Sequence, residues 1–194
     1  MSRKNKLYIG FVVIVIAGYI TYKVILASTF GTPKDFSEAR ERGALISQDI
    51  VNLSNELKDN LTEINRLDKE GNITDALQKT TDLATKSMEI RSKAVELSGE
   101  LERMTSSLPK IKKEESKQAV LDSVSSRLAL ISRLINYSDY VYQLLSTLRD
   151  RFTNQYVEYG KVDSLITKIN DEVRAVNSFN QSAISAMEEF DKLQ

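Results

Sequence analysis

The chain has 194 residues, with 27 basic and 27 acidic side chains and no cysteine, histidine or tryptophan. Lacking cysteine it forms no disulfide, Fe–S cluster or thiol nucleophile, and lacking histidine it has no Ser-His-Asp triad, ordinary zinc site or Glu-x-x-His di-iron bundle. The zero net charge is uneven: Arg3, Lys4, Lys6 and Lys23 are the only charges before residue 33, which leaves 23 basic against 27 acidic residues in the rest. A mildly acidic, sign-mixed body without a basic stripe argues against a nucleic-acid partner. No cofactor and no catalytic or metal-binding constellation is expected.

Residues 1–6 form a short basic tail. Leu7 to Tyr22 then runs for sixteen residues without a charge, and after Lys23 the apolar character resumes to Ala27. Residues 7–27 make about 31 Å of helix, the thickness of a bilayer core. Lys23 lies near the far end, where its stem can snorkel to the interface. Tyr8 near one end, with Tyr19 and Tyr22 near the other, is the placement of an aromatic belt. A buried core helix would show a polar stripe, which is missing. A cleaved signal peptide would end at Ala27, but Ile25 is bulky for the third position back and Lys23 interrupts the approach. The expectation is an uncleaved transmembrane signal anchor. Arg3, Lys4 and Lys6 place the tail in the cytoplasm by the positive-inside rule and the body outside it.

Residues 28–32 read as a linker and 33–194 as one all-α domain, a long antiparallel, coiled-coil-like four-helix bundle. The predicted helices run over about 33–70, 73–107, 110–159 and 161–193. Thr32 is a candidate N-cap with Pro33 at the first helical position. Phe36, Ala39, Gly43, Ile46, Ile50, Leu53 and Leu57 then recur in steps of three and four. Glu70-Gly71-Asn72 is a stop followed by a capping residue. The second run, from Ile73 through Ala76, Thr80, Leu83, Ser87, Ile90, Ala94, Leu97, Leu101 and Met104 to Leu108, is an unbroken alternation that Pro109 closes.

The third run carries Val120, Val124, Leu128, Ile131, Leu134, Val141, Leu145 and Leu148. Leu121, Ile135 and Leu144 widen its face, which suits a helix touching two neighbours and leaves room for self-association. The segment 136–139 is a candidate kink, and Gly160 a candidate terminator. The fourth run, Val162 to Leu193, completes an even number of helices. The C-terminus then returns to the membrane-proximal end, and the turns near Gly71 and Gly160 lie at the distal tip.

All five tyrosines of the body fall between residues 137 and 159. Tyr137, Tyr140, Tyr156 and Tyr159 are the candidate interaction surface, since tyrosine joins apolar area to a polar tip. Tyr137 and Tyr140 share a face off the main stripe and are expected to be exposed. Asp139, Arg149, Asp150 and Arg151 lie near them and read as a solvated face rather than a catalytic group. Lys110, Lys112, Lys113 and Lys117 could meet anionic headgroups. Asn52, Asn60, Asn72, Asn136 and Asn180 head Asn-x-Ser/Thr sequons, of which Asn72 lies in a turn. The lack of cysteine fits a prokaryotic surface better than animal secretion.

In layout, an anchor ahead of a four-helix bundle, the chain is similar to the sensory modules of methyl-accepting chemoreceptors and to the LemA family. No stretch carries a motif of either, so no residue role passes from them. The expected function is that of a non-enzymatic, membrane-anchored interaction or structural module of the cell envelope. Its expected partners are the lipid bilayer and a protein partner or a second copy. The alternative is a ligand- or ion-sensing bundle that signals through a partner subunit, with the ligand near the polar core positions Thr80 and Ser87.

Overall fold

The structure, a computed structural model, describes residues 32–194. The predicted anchor at 7–27 and the interface residues Arg3, Lys4, Lys6, Tyr8, Tyr19, Tyr22 and Lys23 lie outside the described residues. Among the described residues there is no strand, and no helix is long and apolar enough to cross a membrane.

Four long helices make up the fold: α1 (Lys34–Glu70), α2 (Ile73–Ser106), α3 (Glu114–Phe152) and α4 (Lys161–Leu193), with a short 3-10 turn, Leu108–Lys110, between α2 and α3. α1 ends at Gly71, whose φ of 78° is left-handed; its N–H reaches Asp68 O and that of Asn72 reaches Leu67 O, the paired bonds of a Schellman stop. Asn72 then caps α2, accepting from Asp75 N. Such a tight reversal leaves α2 antiparallel to α1.

The apolar stripes face inward as their spacing requires. On α2, Ala76, Leu83, Ile90, Ala94, Leu97, Leu101 and Met104 are all buried. They pack with the α1 and α4 stripes into one core. α1 packs along α2, α2 along α3, and α3 along α4, while the backbones of α1 and α4 hardly approach within 8 Å of each other. Side chains close that last seam. Phe36 and Phe190 meet with ring centroids 5.2 Å apart. One turn on, the Arg40 guanidinium donates to both carboxylate oxygens of Asp191, at 2.6 and 2.7 Å. At this same end Gln194 Nε2 donates to Ser116 Oγ at 3.0 Å, and Lys110 pairs with Asp35. The opposite end holds the Gly71 turn and the loop 153–160, tied by Arg151 to Asp68 at 2.8 Å.

Small residues set the register of α3. Ser123 Oγ donates to Ala183 O of α4 at 3.0 Å, and Ser138 Oγ donates to Ser87 O of α2. A serine is short enough for its hydroxyl to reach a carbonyl that a bulky residue would hold away. Each bond ties one depth of α3 to one depth of its neighbour.

α3 is shorter than the 110–159 that its pattern predicts, and it is continuous through 136–139. Pro109 is the second residue of the 3-10 turn, and Ile111 follows in an extended conformation, 4% exposed, as an apolar plug under the turn. The helix restarts only after extended Lys113, with Glu114 and Glu115 at the positive end of its dipole. At the other end the chain leaves the helix after Phe152, with Asn154 at φ 57°. Gly160, at φ 80°, starts α4 rather than terminating α3. Pro33 rather than Thr32 holds the N-cap position of α1, and Thr32 Oγ1 lies 3.2 Å from Ser37 Oγ.

Candidate functional site

The four tyrosines expected to form one surface are spread over three environments. Tyr137 is a core residue, 3% exposed, and its burial among apolar side chains holds the phenol above its ordinary range. This corrects the expectation of exposure. The core line of α3 runs through the polar residues Arg127 and Ser138, which rotates the buried face towards Tyr137. Tyr140 packs partly buried against the core, with Lys168 Nζ of α4 5.3 Å from its ring centroid. Tyr156 and Tyr159 project from loop 153–160 at 90% and 91% exposure. Tyr140 stands about 18 Å of helix from the end of α3, so it does not share a patch with them.

The same rotation exposes a different face. Leu121, Leu128 and Tyr142 are 41%, 49% and 46% exposed, and Ile135 is half-buried between them. These residues recur every seven positions and so form one strip along α3. The same spacing places exposed Glu114 at one end of the strip and exposed Arg149 at the other. Met88 and Val95 of α2, also exposed and seven apart, flank it. They lie on the side of α2 where Arg91 reaches Asp139 of α3 at 3.0 Å. The sequence signal for this face was present in Leu121 and Ile135, but Leu128 reads as core by spacing alone.

The polar core positions are closed to a ligand at their hydroxyl protons. Thr80 Oγ1 donates to Ala76 O and Ser87 Oγ to Ala84 O, both within α2. The lysines of the α2–α3 turn are mostly engaged. Lys110 pairs with Asp35, Lys113 donates to Leu193 O and Lys117 pairs with Glu114, while Lys112 has no such partner among the described residues. Asp139 is paired with Arg91, and Asp150 lies beside Arg149 at 3.9 Å. Asn72 uses its amide to cap α2 and to reach Asp75 Oδ2 at 2.6 Å.

Polar groups that the sequence did not single out lie deeper. Glu172 of α4 is 7% exposed; its Oε1 accepts from Asn136 at 3.3 Å, and its Oε2 stands 3.6 Å from Arg133. Ser54 Oγ, Arg127 Nε, Glu172 Oε2 and Asn177 Oδ1 are buried and without a hydrogen-bond partner among the described residues. Arg127 is the one of these that carries a positive charge.

No protein-family model matches the chain, and no curated protein and no solved structure matches it either.

Proposed function

We propose that the protein is a membrane-anchored, non-enzymatic interaction module of the cell envelope. Residues 7–27 hold it in the membrane, with Arg3, Lys4 and Lys6 on the cytoplasmic side and the bundle outside. The length of the charge-free run, its flanking tyrosines and its basic tail support the anchor. The end of the bundle where residue 32 enters then faces the membrane, and the Gly71 turn and loop 153–160 face away from it.

The single observation that carries the interaction reading is the α3 strip. Over the roughly 32 Å of helix from Leu121 to Tyr142 it leaves the apolar side chains of Leu121, Leu128 and Tyr142 exposed, with Ile135 half-buried between them. Covering such a face is favourable by roughly 25 cal/mol per Å² of apolar area, and contiguous exposed apolar patches mark partner sites.

The charges at its ends bias the choice of partner, although Glu114 is paired with Lys117 and Arg149 lies 3.9 Å from Asp150. Two copies anchored in one membrane meet in parallel, which sets Glu114 against Glu114 and Arg149 against Arg149. Like charges across a helix pair oppose association. The strip therefore suits a helix of another envelope protein, antiparallel to α3, with a basic group near Glu114 and an acidic group near Arg149. Site-specific photocrosslinking at Leu128 in intact membranes tests this. The expected product is an adduct whose mass differs from twice that of the chain and which disappears when Leu121→Glu is added. An adduct of dimer mass, or none at all, would contradict the reading.

A further inference from the structure

The seam between α1 and α4, whose backbones stay apart, is built as a ladder. Arg40, Ser47 and Ser54 of α1 follow one another at intervals of seven, as do Asp191, Ile184 and Asn177 of α4. Each set therefore lies along one side of its helix. The two helices run antiparallel, and the Arg40–Asp191 pair fixes their register. Ser47 then stands level with Ile184, and Ser54 with Asn177.

The first rung is strong and the next two are weak. Arg40 donates to both carboxylate oxygens of Asp191, at 2.6 and 2.7 Å, beside the ring contact of Phe36 with Phe190. At the second rung Ser47 spends its hydroxyl proton on Gly43 O of its own helix, and Ile184 is buried without joining the core cluster. At the third, Ser54 Oγ and Asn177 Oδ1 are both buried, and neither has a hydrogen-bond partner among the described residues. A hydroxyl donor and a carbonyl acceptor thus sit unbonded on neighbouring helices, which disfavours the closed seam. Behind the second rung lies a pocket half open to solvent, floored by Ile50, Leu97, Leu130 and Leu134. The α2–α3 and α3–α4 seams differ, because Ser138 donates to Ser87 O across one and Ser123 to Ala183 O across the other.

The geometry points to a conformational latch: the Arg40–Asp191 pair holds shut the stretch of the α1–α4 seam from Ser47–Ile184 to Ser54–Asn177, and that stretch parts when the pair is broken. Local opening is governed by the contacts of the segment that opens, not by the stability of the whole domain. α1 begins less than two turns before Arg40, and α4 ends just after Asp191. Anything that draws the start of α1 away from the end of α4 therefore loads this pair first. Parting the rungs uncovers the apolar floor of the pocket, while the packing of α1 on α2, α2 on α3 and α3 on α4 stays made. The latch depends neither on the anchor nor on the α3 strip.

The test places one cysteine at Ser54 or at Ser87 in the full chain in neutral detergent and follows maleimide labelling under native conditions. Both serines are buried, at 1% and 0% exposure, and a thiol replaces each hydroxyl at nearly constant shape, so a difference in rate reports opening. Ser54→Cys should label at least about tenfold faster than Ser87→Cys, which waits for a larger unfolding. Adding Asp191→Ala should speed Ser54→Cys by a further factor of about ten and leave Ser87→Cys nearly unchanged. Circular dichroism checks that the double variants are folded, and Asp191→Asn should act in the same direction if the alanine is not tolerated. Equal rates at the two cysteines would overturn the latch. So would an Asp191 substitution that speeds both alike, since the pair would then support the whole fold and not one seam.

Discussion

Removing the ring of Tyr137 should open a hole in the core that its neighbours cannot fill. Tyr137→Ala should destabilise the fold by about 3–5 kcal/mol, as large-to-small changes in a core do. Tyr156→Ala and Tyr159→Ala should each change it by less than about 0.5 kcal/mol, because their rings lie in water. Urea unfolding followed by circular dichroism separates the two outcomes. The pH dependence follows from the same burial. An unfolded tyrosine ionises near about pH 10, while the buried Tyr137 phenol is held protonated above that. The unfolded state therefore binds fewer protons there, and stability falls as the pH rises through about 10. Tyr137→Phe should lose less stability over that interval than the wild type. Spacing could not reveal this burial. The α3 pattern reads naturally through Leu128 and skips from Leu134 to Val141, whereas the packed line passes through Arg127 and Ser138, two residues whose polarity argues against a core position. Ser138 is tolerated because its hydroxyl finds Ser87 O. Arg127 makes no such bond at its buried Nε, and its side chain is only part-buried.

α1 and α2 were legible because their stripes are narrow and their boundary is chemical. Gly71 takes the left-handed conformation that a stop requires, and Asn72 supplies the cap that follows. The ends of α3 were not legible. The charges after Pro109 are compatible with helix, and only the burial of Ile111 pulls the chain into an extended path. Nor does the sequence between Thr153 and Gly160 announce a loop, since one left-handed Asn154 suffices to end the helix. The seam between α1 and α4 rests on few contacts, so its ion pair should matter more than a surface pair. Arg40 and Asp191 are 16% and 15% exposed, which places them between the surface and buried limits. Asp191→Ala should cost about 1–3 kcal/mol, and guanidinium titration should show the loss. A loss below about 0.5 kcal/mol would mean that Phe36 and Phe190 close the seam alone.

At the scale of the whole molecule, helix count and antiparallel order followed from the four stripes and the short turns between them. The exposed face of α3 did not, because a helix with two apolar strips gives no sign of which one the bundle covers. The account joins that uncovered strip to an anchor read from residues 7–27, and the direction of the anchor decides which proteins the strip can meet. With no native cysteine to interfere, single cysteines at Ser2 and at exposed Gln155 of the distal loop report that direction. Intact cells would be treated with a membrane-impermeant maleimide. The account predicts labelling at Gln155→Cys in intact cells, labelling at Ser2→Cys only after lysis, and the full-length chain in the membrane fraction. Labelling at Ser2→Cys alone, or at neither site before lysis, would place the bundle in the cytoplasm and contradict it.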